Sequence, residues 1–208
     1  LARSLAELDM PKVLEEITLK PRGLVLLTGV TGSGKSTTLA AMISHINEHH
    51  KANVITLEDP IEFLHPDINC HINQREVGTD TTSFAQGLRR VLRQDPDVIL
   101  IGEIRDLETL DAALKAADTG HMVFSTLHTM DATQTIQRVL SFYPPHQQAE
   151  VRFSLANALQ AVISQRLVPR ADKPGRIPAV EVLINTAAVR DQIRDMASAL
   201  NIPDLIKE

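Results

Sequence analysis

The segment from Gly29 to Ser36 has the residue types and spacing of a phosphate-binding loop: two glycines, then lysine and serine at fixed offsets. Glycines let the backbone bend around a triphosphate so that successive N–H groups point at the anion. At these offsets the Lys35 ammonium is placed to hold the β and γ phosphates, and the Ser36 hydroxyl to ligate magnesium. The motif therefore predicts a site for ATP and Mg²⁺. The predicted nucleotide contacts are Gly29, Thr31, Gly32, Ser33, Gly34, Lys35, Ser36 and Thr37.

Two carboxylates follow predicted strands, and a phosphate loop needs an acidic partner. Glu58 follows the apolar run 54–57, and Glu103 comes after the run 98–101. In open parallel sheets ligands bind at the carboxyl ends of strands, so both side chains are predicted to be catalytic, with Glu103 also supporting magnesium. Many motors with such a loop carry aspartate where this chain has Gly102. The competing interpretation is that both carboxylates are helix caps or surface charges.

Two histidines flank the predicted strand 122–127. His128 lies just beyond its carboxyl end, on the side where the nucleotide is expected, so we predict that it joins the catalytic group as a sensor of the γ phosphate. His121 lies at the opposite end and is predicted to act at a subunit interface. A histidine in a turn with satisfied hydrogen bonds is the alternative for both.

A group of arginines lies in the middle of the chain. A guanidinium delivered to a neighbouring subunit's γ phosphate makes hydrolysis depend on assembly. Any one of these arginines can instead form a surface ion pair of little energetic consequence, and the sequence does not choose among them. The candidates for an inter-subunit or sensor role are Arg75, Arg89, Arg93 and Arg105, with Arg90 beside them.

The segment His45–His49 matches an H-x-x-E-H pattern that binds zinc in one group of peptidases. It lies on the helix predicted to follow the phosphate loop, and no third ligand is apparent. Cys70 beside His71 is no stronger a candidate, because a structural zinc site normally takes four ligands. We therefore predict a solvated polar face at His45–His49 and no zinc site.

The elements that must position these residues alternate between apolar runs of strand length and stretches of helical period. This pattern predicts an α/β fold with a mainly parallel sheet and helices on both faces. The predicted strands cover 24–28, 54–57, a short piece near Ile72, 98–101, 122–127 and 179–184. The predicted helices cover about 35–49, 84–93 and 107–118, then one opening at Asp131, one beyond Pro145, one from about Ala187 and a short one after Pro203.

Local signals refine several of these boundaries. Asp106 is placed as the N-cap of its helix, and the segment 131–134 resembles an acidic variant of the capping box. The segment 169–175 is rich in turn residues and predicts a surface connection between two strands. One helical stripe is predicted beyond Pro145. Its members are Val151, Leu155, Leu159 and Val162.

The composition fits one domain of ordinary size, with 208 residues of which 43% are hydrophobic. Aromatic residues make up 3% and the net charge is −5, so we predict no nucleic-acid partner. A single cysteine suits a reducing cytoplasm, and no apolar run is long enough to insert into a membrane. We expect residues 1–20 to be a leader or linker from a missing N-terminal domain, and residues 21–208 to be the ATPase domain, truncated at its C-terminal end.

Together the motifs resemble the secretion ATPase superfamily of type II secretion and type IV pilus motors. Besides the phosphate loop (Walker A), an Asp box covers 56–62 and a Walker B motif covers 97–106, with a glycine before its glutamate. A His box covers 119–129. The similarity extends over about 21–195. It implies a RecA-like P-loop NTPase core that works in a cytoplasmic homohexamer.

The same resemblance implies a role for each acidic and histidine candidate. Glu58 would polarise the attacking water, and Glu103 would support magnesium and hydrolysis. The histidines of the His box, His121 and His128, would relay the nucleotide state.

Within the superfamily the chain is most similar to the retraction ATPases of twitching motility, the PilT family. Extension and secretion motors usually insert a four-cysteine zinc module after the His box, whereas here only 170–175 separates two predicted strands. Residues 188–195 resemble the retraction signature A-I-R-N-L-I-R-E and depart from it at Asp191, Gln192 and Asp195. The resemblance implies a motor that docks on an inner-membrane pilus platform protein and lies peripheral to that membrane.

Other functions share much of this pattern. A pilus extension or type II secretion ATPase is the near alternative. A nucleic-acid translocase shares the ATPase core, and a nucleotide-regulated scaffold would bind ATP without hydrolysing it. These residues leave the direction of force and the firing order of the ring open.

Overall fold

Strands and helices alternate along the computed structural model, which describes residues 2–195. The strands are β1 (Gly23–Thr28), β2 (Asn53–Glu58), β3 (His71–Glu76), β4 (Val98–Ile101), β5 (Met122–Leu127), β6 (Leu159–Pro169) and β7 (Arg176–Ile184). The helices are α1 (Val13–Thr18), α2 (Lys35–His49), α3 (Phe84–Val91), α4 (Leu107–Asp118), α5 (Ala132–Ser141), α6 (Gln148–Ala158), preceded by a 3₁₀ turn, and α7 (Ala187–Arg194).

The seven strands form one sheet in the order β3-β2-β4-β5-β1-β6-β7. All neighbouring pairs are parallel except β6 and β7, which form an antiparallel pair. Strands β1, β4 and β5 are buried along their whole length, as expected for central strands covered on both faces. The first six strands in this order, from β3 at one edge to β6, are parallel to one another. Their carboxyl ends therefore meet at one edge of the sheet.

Helices cover both faces of the sheet, which confirms the predicted fold class. Alternate residues of β1 show this directly. Leu24 and Leu26 pack in the core beneath α3 to α7, whereas Val25 and Leu27 pack in the core beneath α1 and α2. Strand β1 therefore lies between two hydrophobic cores, and its carboxyl end leads into the phosphate loop.

The segment before β1 is folded against the second core. Leu5, Met10, Leu14 and Ile17 are buried there, on the same face of the sheet as α2. Apolar spacing over 14–17 is too short to stand out in the sequence, so this helix was not predicted. The division of the chain at residue 21 stays a prediction.

One predicted helical stripe is partly wrong. Val151 and Leu155 lie on α6, but Leu159 and Val162 lie on β6. Apolar residues three or four positions apart fit a helix, and they also fit a strand that is buried on both faces. What decides the outcome is pairing with β1, where Leu24 faces Leu159 and Leu26 faces Val162.

The predicted N-cap at Asp106 is confirmed, and the predicted capping box at Asp131 is only partly present. The Asp106 side chain accepts a hydrogen bond from the Thr109 N–H, as an N-cap should. At α5 the Asp131 side chain accepts from the Gln134 N–H, but the Gln134 amide returns to the Asp131 carboxylate rather than to its backbone. Only half of a capping box is present. The helix predicted after Pro203 lies outside the described residues.

Candidate functional site

A cleft of about 490 Å³ opens at the carboxyl edge of the sheet, where the phosphate loop joins β1 to α2. It brings together the loop, the ends of β2 and β4, and the segment after β5, as the carboxyl-edge rule predicts. The predicted residues that line it are Thr31, Gly32, Gly34, Lys35, Ser36, Thr37, Glu58, Glu103, Arg105 and His128. Gly29 and Ser33, the two other predicted loop contacts, are not among the residues that line the cleft.

The phosphate loop presents one cation and an uncapped helix end to the cleft. Helix α2 begins at Lys35, and its N-cap, Gly34, has a positive φ and no side chain that could bond the first-turn N–H groups. The Lys35 ammonium donates to the Gly29 and Val30 carbonyl oxygens at 2.7 and 3.1 Å. Backbone donors and an ammonium around one bend form an anion-binding site.

The environment of Lys35 sets its proton affinity. The side chain is only 9% exposed, and burial lowers the pKa of its ammonium, while the nearby negative charge of Glu103 opposes that shift. The folded chain therefore favours the neutral amine more than water does. An incoming phosphate would favour the charged form again.

Glu103 lies between two cationic or protonatable partners. Its Oε1 is 2.9 Å from His128 Nε2, and its Oε2 accepts from Arg105 Nε at 2.8 Å. Arg105 also approaches Asp59 Oδ2, at 3.5 Å. This network joins the end of β2, the end of β4 and the end of β5 across the mouth of the cleft.

Hydroxyl groups on β5 hold the backbone that carries Glu103. Ser125 Oγ donates to the Ile101 carbonyl, and Thr126 Oγ1 donates to the Gly102 carbonyl. Gly102 packs closely on β2, because a Cβ there would lie 3.3 Å from the Leu57 carbonyl oxygen. Position 102 is therefore a close backbone contact, and the first carboxylate after β4 is that of Glu103.

Two of the three carboxylates of the Asp box, Glu58 and Glu62, have different partners. Glu58 Oε1 accepts from Thr56 Oγ1 at 2.6 Å and from Gln74 Nε2 at 3.0 Å, so β2 and β3 hold it in place. Glu62 Oε1 instead accepts from the Ser36 hydroxyl of the phosphate loop at 2.9 Å. Glu62 is thus the carboxylate in direct contact with the loop, and it was not among the predicted site residues.

The other sensor candidates lie away from this cleft. His121 Nδ1 is 2.9 Å from the Ala116 carbonyl oxygen, at the far end of β5. Arg89 pairs with Glu108, and Arg75 donates to Gln94. Of the arginines proposed above, Arg105 lines the cleft; Arg75, Arg89 and Arg93 do not.

His45 and His49 interact through their own helix. The two rings lie 4.1 Å apart, and His49 Nδ1 is 2.8 Å from the His45 carbonyl oxygen. Burial and the neighbouring His49 lower the pKa of His45. Among the described residues, no three His, Cys, Asp or Glu side chains are grouped as a metal site requires.

Sequence reasoning missed the contacts that close the loop from behind. Gln165 on β6 bonds to Ser33 and to Thr38. Sequence reasoning also missed Glu62, which belongs to the Asp box, whose carboxylates were a usable signal. Nothing local marks Gln165, because its partners lie on the loop and α2.

Other proteins are similar to this chain in sequence. A family model described as type II/IV secretion system protein matches residues 4–199. The Pseudomonas aeruginosa protein named type IV pilus retractation ATPase PilT is 51% identical over 192 residues, which are 92% of this chain and 56% of that protein. A Neisseria gonorrhoeae twitching motility protein is 52% identical over the same length, covering 92% of this chain and 51% of that one.

A solved structure is also similar to this chain. The crystal structure of the pilus retraction motor PilT with bound ADP superposes with a TM-score of 0.91 at 49% identity, covering 93% of this chain and 56% of that chain. The match confirms the predicted RecA-like P-loop fold. This chain spans about half the length of the relatives it matches.

No helix in residues 2–195 combines the length and apolar character needed to cross a bilayer. The family match covers most of the chain. The chain therefore belongs to the type II/IV secretion system protein family.

Proposed function

We propose that this chain is the ATPase core of a ring-forming motor that hydrolyses ATP to retract type IV pili. The observation that carries the proposal is the convergence, in one cleft, of the phosphate loop with Glu58, Glu103 and His128. The ADP-bound PilT structure and the relatives named for retraction and twitching motility support the retraction assignment. The short 170–175 connection between β6 and β7 supports it over extension and secretion motors.

The loop binds the triphosphate of ATP. Lys35 exchanges its two carbonyl partners for phosphate oxygens, which restore a charged partner to a buried ammonium. The first N–H groups of α2 and the helix dipole add to the attraction. Thr31 and Thr37 line the same wall and complete the phosphate contacts.

Mg²⁺ fits the donors present, since hydroxyl and carboxylate oxygens are its preferred protein ligands. Ser36 and Glu103 would hold it, and Glu62, already bonded to Ser36, offers a further oxygen. When bound, the ion neutralises charge that develops on the phosphates during transfer. The chain's own contribution is to hold these oxygens on three separate segments around the loop.

Glu103 orients the attacking water and accepts its proton. Its position between His128 and Arg105 fixes the direction of the carboxylate before substrate arrives. Glu58, held by Thr56 and Gln74, polarises the water from the β2 side. His128 senses the state of the γ phosphate through its contact with Glu103.

The working form is a homohexamer that docks on an inner-membrane pilus platform protein, on the cytoplasmic side, and binds no nucleic acid. Arginines contributed between subunits would complete each site. His121, Arg75, Arg89 and Arg93 do not line the cleft of their own chain, so a role for them in catalysis would require contact with a neighbouring subunit. Arg105 is the inter-subunit candidate that already touches the cleft.

The test compares Lys35→Ala with Lys51→Ala, a matched control because Lys51 is exposed and follows the opposite end of α2. We expect Lys35→Ala to stay folded and to lose ADP binding and phosphate release, while Lys51→Ala behaves like the parent. Near-normal turnover by folded Lys35→Ala would refute the ATPase assignment. For retraction, deletion of the gene should raise pilus number and abolish surface motility, and complementation should restore both.

A further inference from the structure

Gln165 is a buried polar residue beside the phosphate loop that the mechanism above does not use. It lies on β6, next to β1, and is 5% exposed. Its Nε2 donates to the Ser33 carbonyl at 2.8 Å, and its Oε1 accepts from Thr38 Oγ1 at 2.8 Å. One amide thus joins the loop to the first turn of α2 without entering the cleft.

The loop also wraps closely around the backbone and side chain of this residue. A Cβ at Gly29, where φ is +146°, would lie 2.2 Å from the Gln165 carbonyl oxygen. A Cβ at Gly34 would lie 2.8 Å from Gln165 Nε2. Gly29 therefore lies against the backbone of residue 165 and Gly34 against its side-chain amide, while the positive φ at both positions independently favours glycine.

The direction of the amide is determined by its partners. A backbone carbonyl only accepts, so the Ser33 oxygen must face the NH₂ group. The oxygen of the amide then faces Thr38, whose hydroxyl donates to it. Glutamate has the same shape but no N–H for Ser33, and leucine satisfies neither partner.

We propose that Gln165 is a positioning residue for nucleotide binding: its amide holds the phosphate loop and the start of α2 in the binding geometry before the nucleotide arrives. The inference rests on the proposed nucleotide function. Since Gln165 contacts neither Glu103 nor His128, its loss should weaken binding more than the chemical step.

The expected effect is on affinity. Removing both bonds should raise the KM for ATP and the Kd for ADP by about tenfold, with kcat changed less than about threefold, because each neutral hydrogen bond contributes modestly in net terms. The loop should also lose order without nucleotide, so amide exchange in the peptide covering 29–38 should accelerate.

The variants are Gln165→Leu, Gln165→Glu and Thr38→Val, with Gln160→Leu as the matched control. Gln160 lies on the same strand and donates one bond to the Arg22 carbonyl, far from the loop. The measurements are ADP affinity by calorimetry, KM and kcat for ATP, melting temperature, and hydrogen exchange of 29–38. Expected are weaker ADP binding and faster loop exchange in all three folded variants, with a lower melting temperature than the control where a buried partner is left unsatisfied.

ADP affinity and loop exchange in folded Gln165→Leu and Gln165→Glu equal to those of Gln160→Leu would overturn the proposal. If Gln165→Leu does not fold, Thr38→Val, which removes the hydroxyl and keeps the shape, decides the question by the same two readouts. Failure of the parent chain to bind ADP would refute the proposed function instead, and loop exchange would still decide the role of Gln165.

Discussion

Replacement of Glu103 by glutamine separates catalysis from folding in this site. The side chain is 19% exposed and lies between His128 Nε2 and Arg105 Nε. A guanidinium only donates, so the single oxygen of glutamine must face Arg105, and its amide N–H then faces the His128 ring. The shape of the site and one of its hydrogen bonds are kept, while the negative charge is lost.

The two effects differ in size. Arg105 and His128 are about half exposed, at 57% and 49%, so loss of the Arg105 ion pair and loss of the His128 contact should each cost less than about 1 kcal/mol of folding free energy. That corresponds to roughly 2–4 °C in melting temperature for a domain of this size. Loss of a positioned general base lowers turnover by about 10²- to 10⁴-fold, or about 3–5 kcal/mol in the barrier.

The assay is steady-state phosphate release with ADP affinity measured in parallel. Glu48→Gln, at the exposed end of α2, is the matched control for loss of one carboxylate. We expect Glu103→Gln to bind ADP and to release phosphate at least about 10²-fold more slowly. Turnover within threefold of the control, in a folded variant, would show that this carboxylate is structural.

The same substitution has a pH signature. Burial lowers the pKa of Lys35, and the charge of Glu103 opposes that shift. Phosphate binding needs the charged ammonium, so affinity falls as pH rises through the lowered pKa. Without the Glu103 charge that pKa falls further, and the alkaline loss of ADP affinity should move to lower pH. An unchanged alkaline limb would contradict this electrostatic link.

Four further outcomes are expected. Glu58→Gln should lower kcat. Glu62→Gln should raise the Mg²⁺ concentration needed for half-maximal turnover, because Glu62 accepts a hydrogen bond from Ser36. Parental kinetics in both variants would show that the Asp box carboxylates take no part in hydrolysis. Zinc chelators should leave turnover unchanged in excess magnesium, whereas stoichiometric zinc lost together with activity in His49→Ala would reverse that conclusion. Turnover per chain should rise with protein concentration as rings form, because a guanidinium from a neighbouring subunit can raise turnover by on the order of 10³- to 10⁵-fold. Constant specific activity over the range in which sedimentation shows the chain passing from monomer to oligomer would argue against shared catalysis.

Much of the fold follows from local patterns in the chain. The bounds of α2, α4, β4 and β5 were predicted from apolar spacing, caps and breakers, because these signals act over a few residues. The phosphate loop was recognised for the same reason, since its glycines, Lys35 and Ser36 are contiguous. The rule that parallel strands present ligands at their carboxyl ends then placed Glu58, Glu103 and His128 in one cleft.

Contacts between distant segments were decided by the tertiary structure alone. Leu159 and Val162 fit a helical stripe until β1 offers them a partner, because pairing across the sheet outweighs weak local preference. Glu62 meets Ser36 across 26 residues, and Gln165 meets Thr38 across 127. Residue type and spacing determined which chemical groups are available to the site. A side chain's hydrogen-bond partner depends on which elements pack together, so the packing determined that Glu62 touches the loop and that the Gln165 amide supports it.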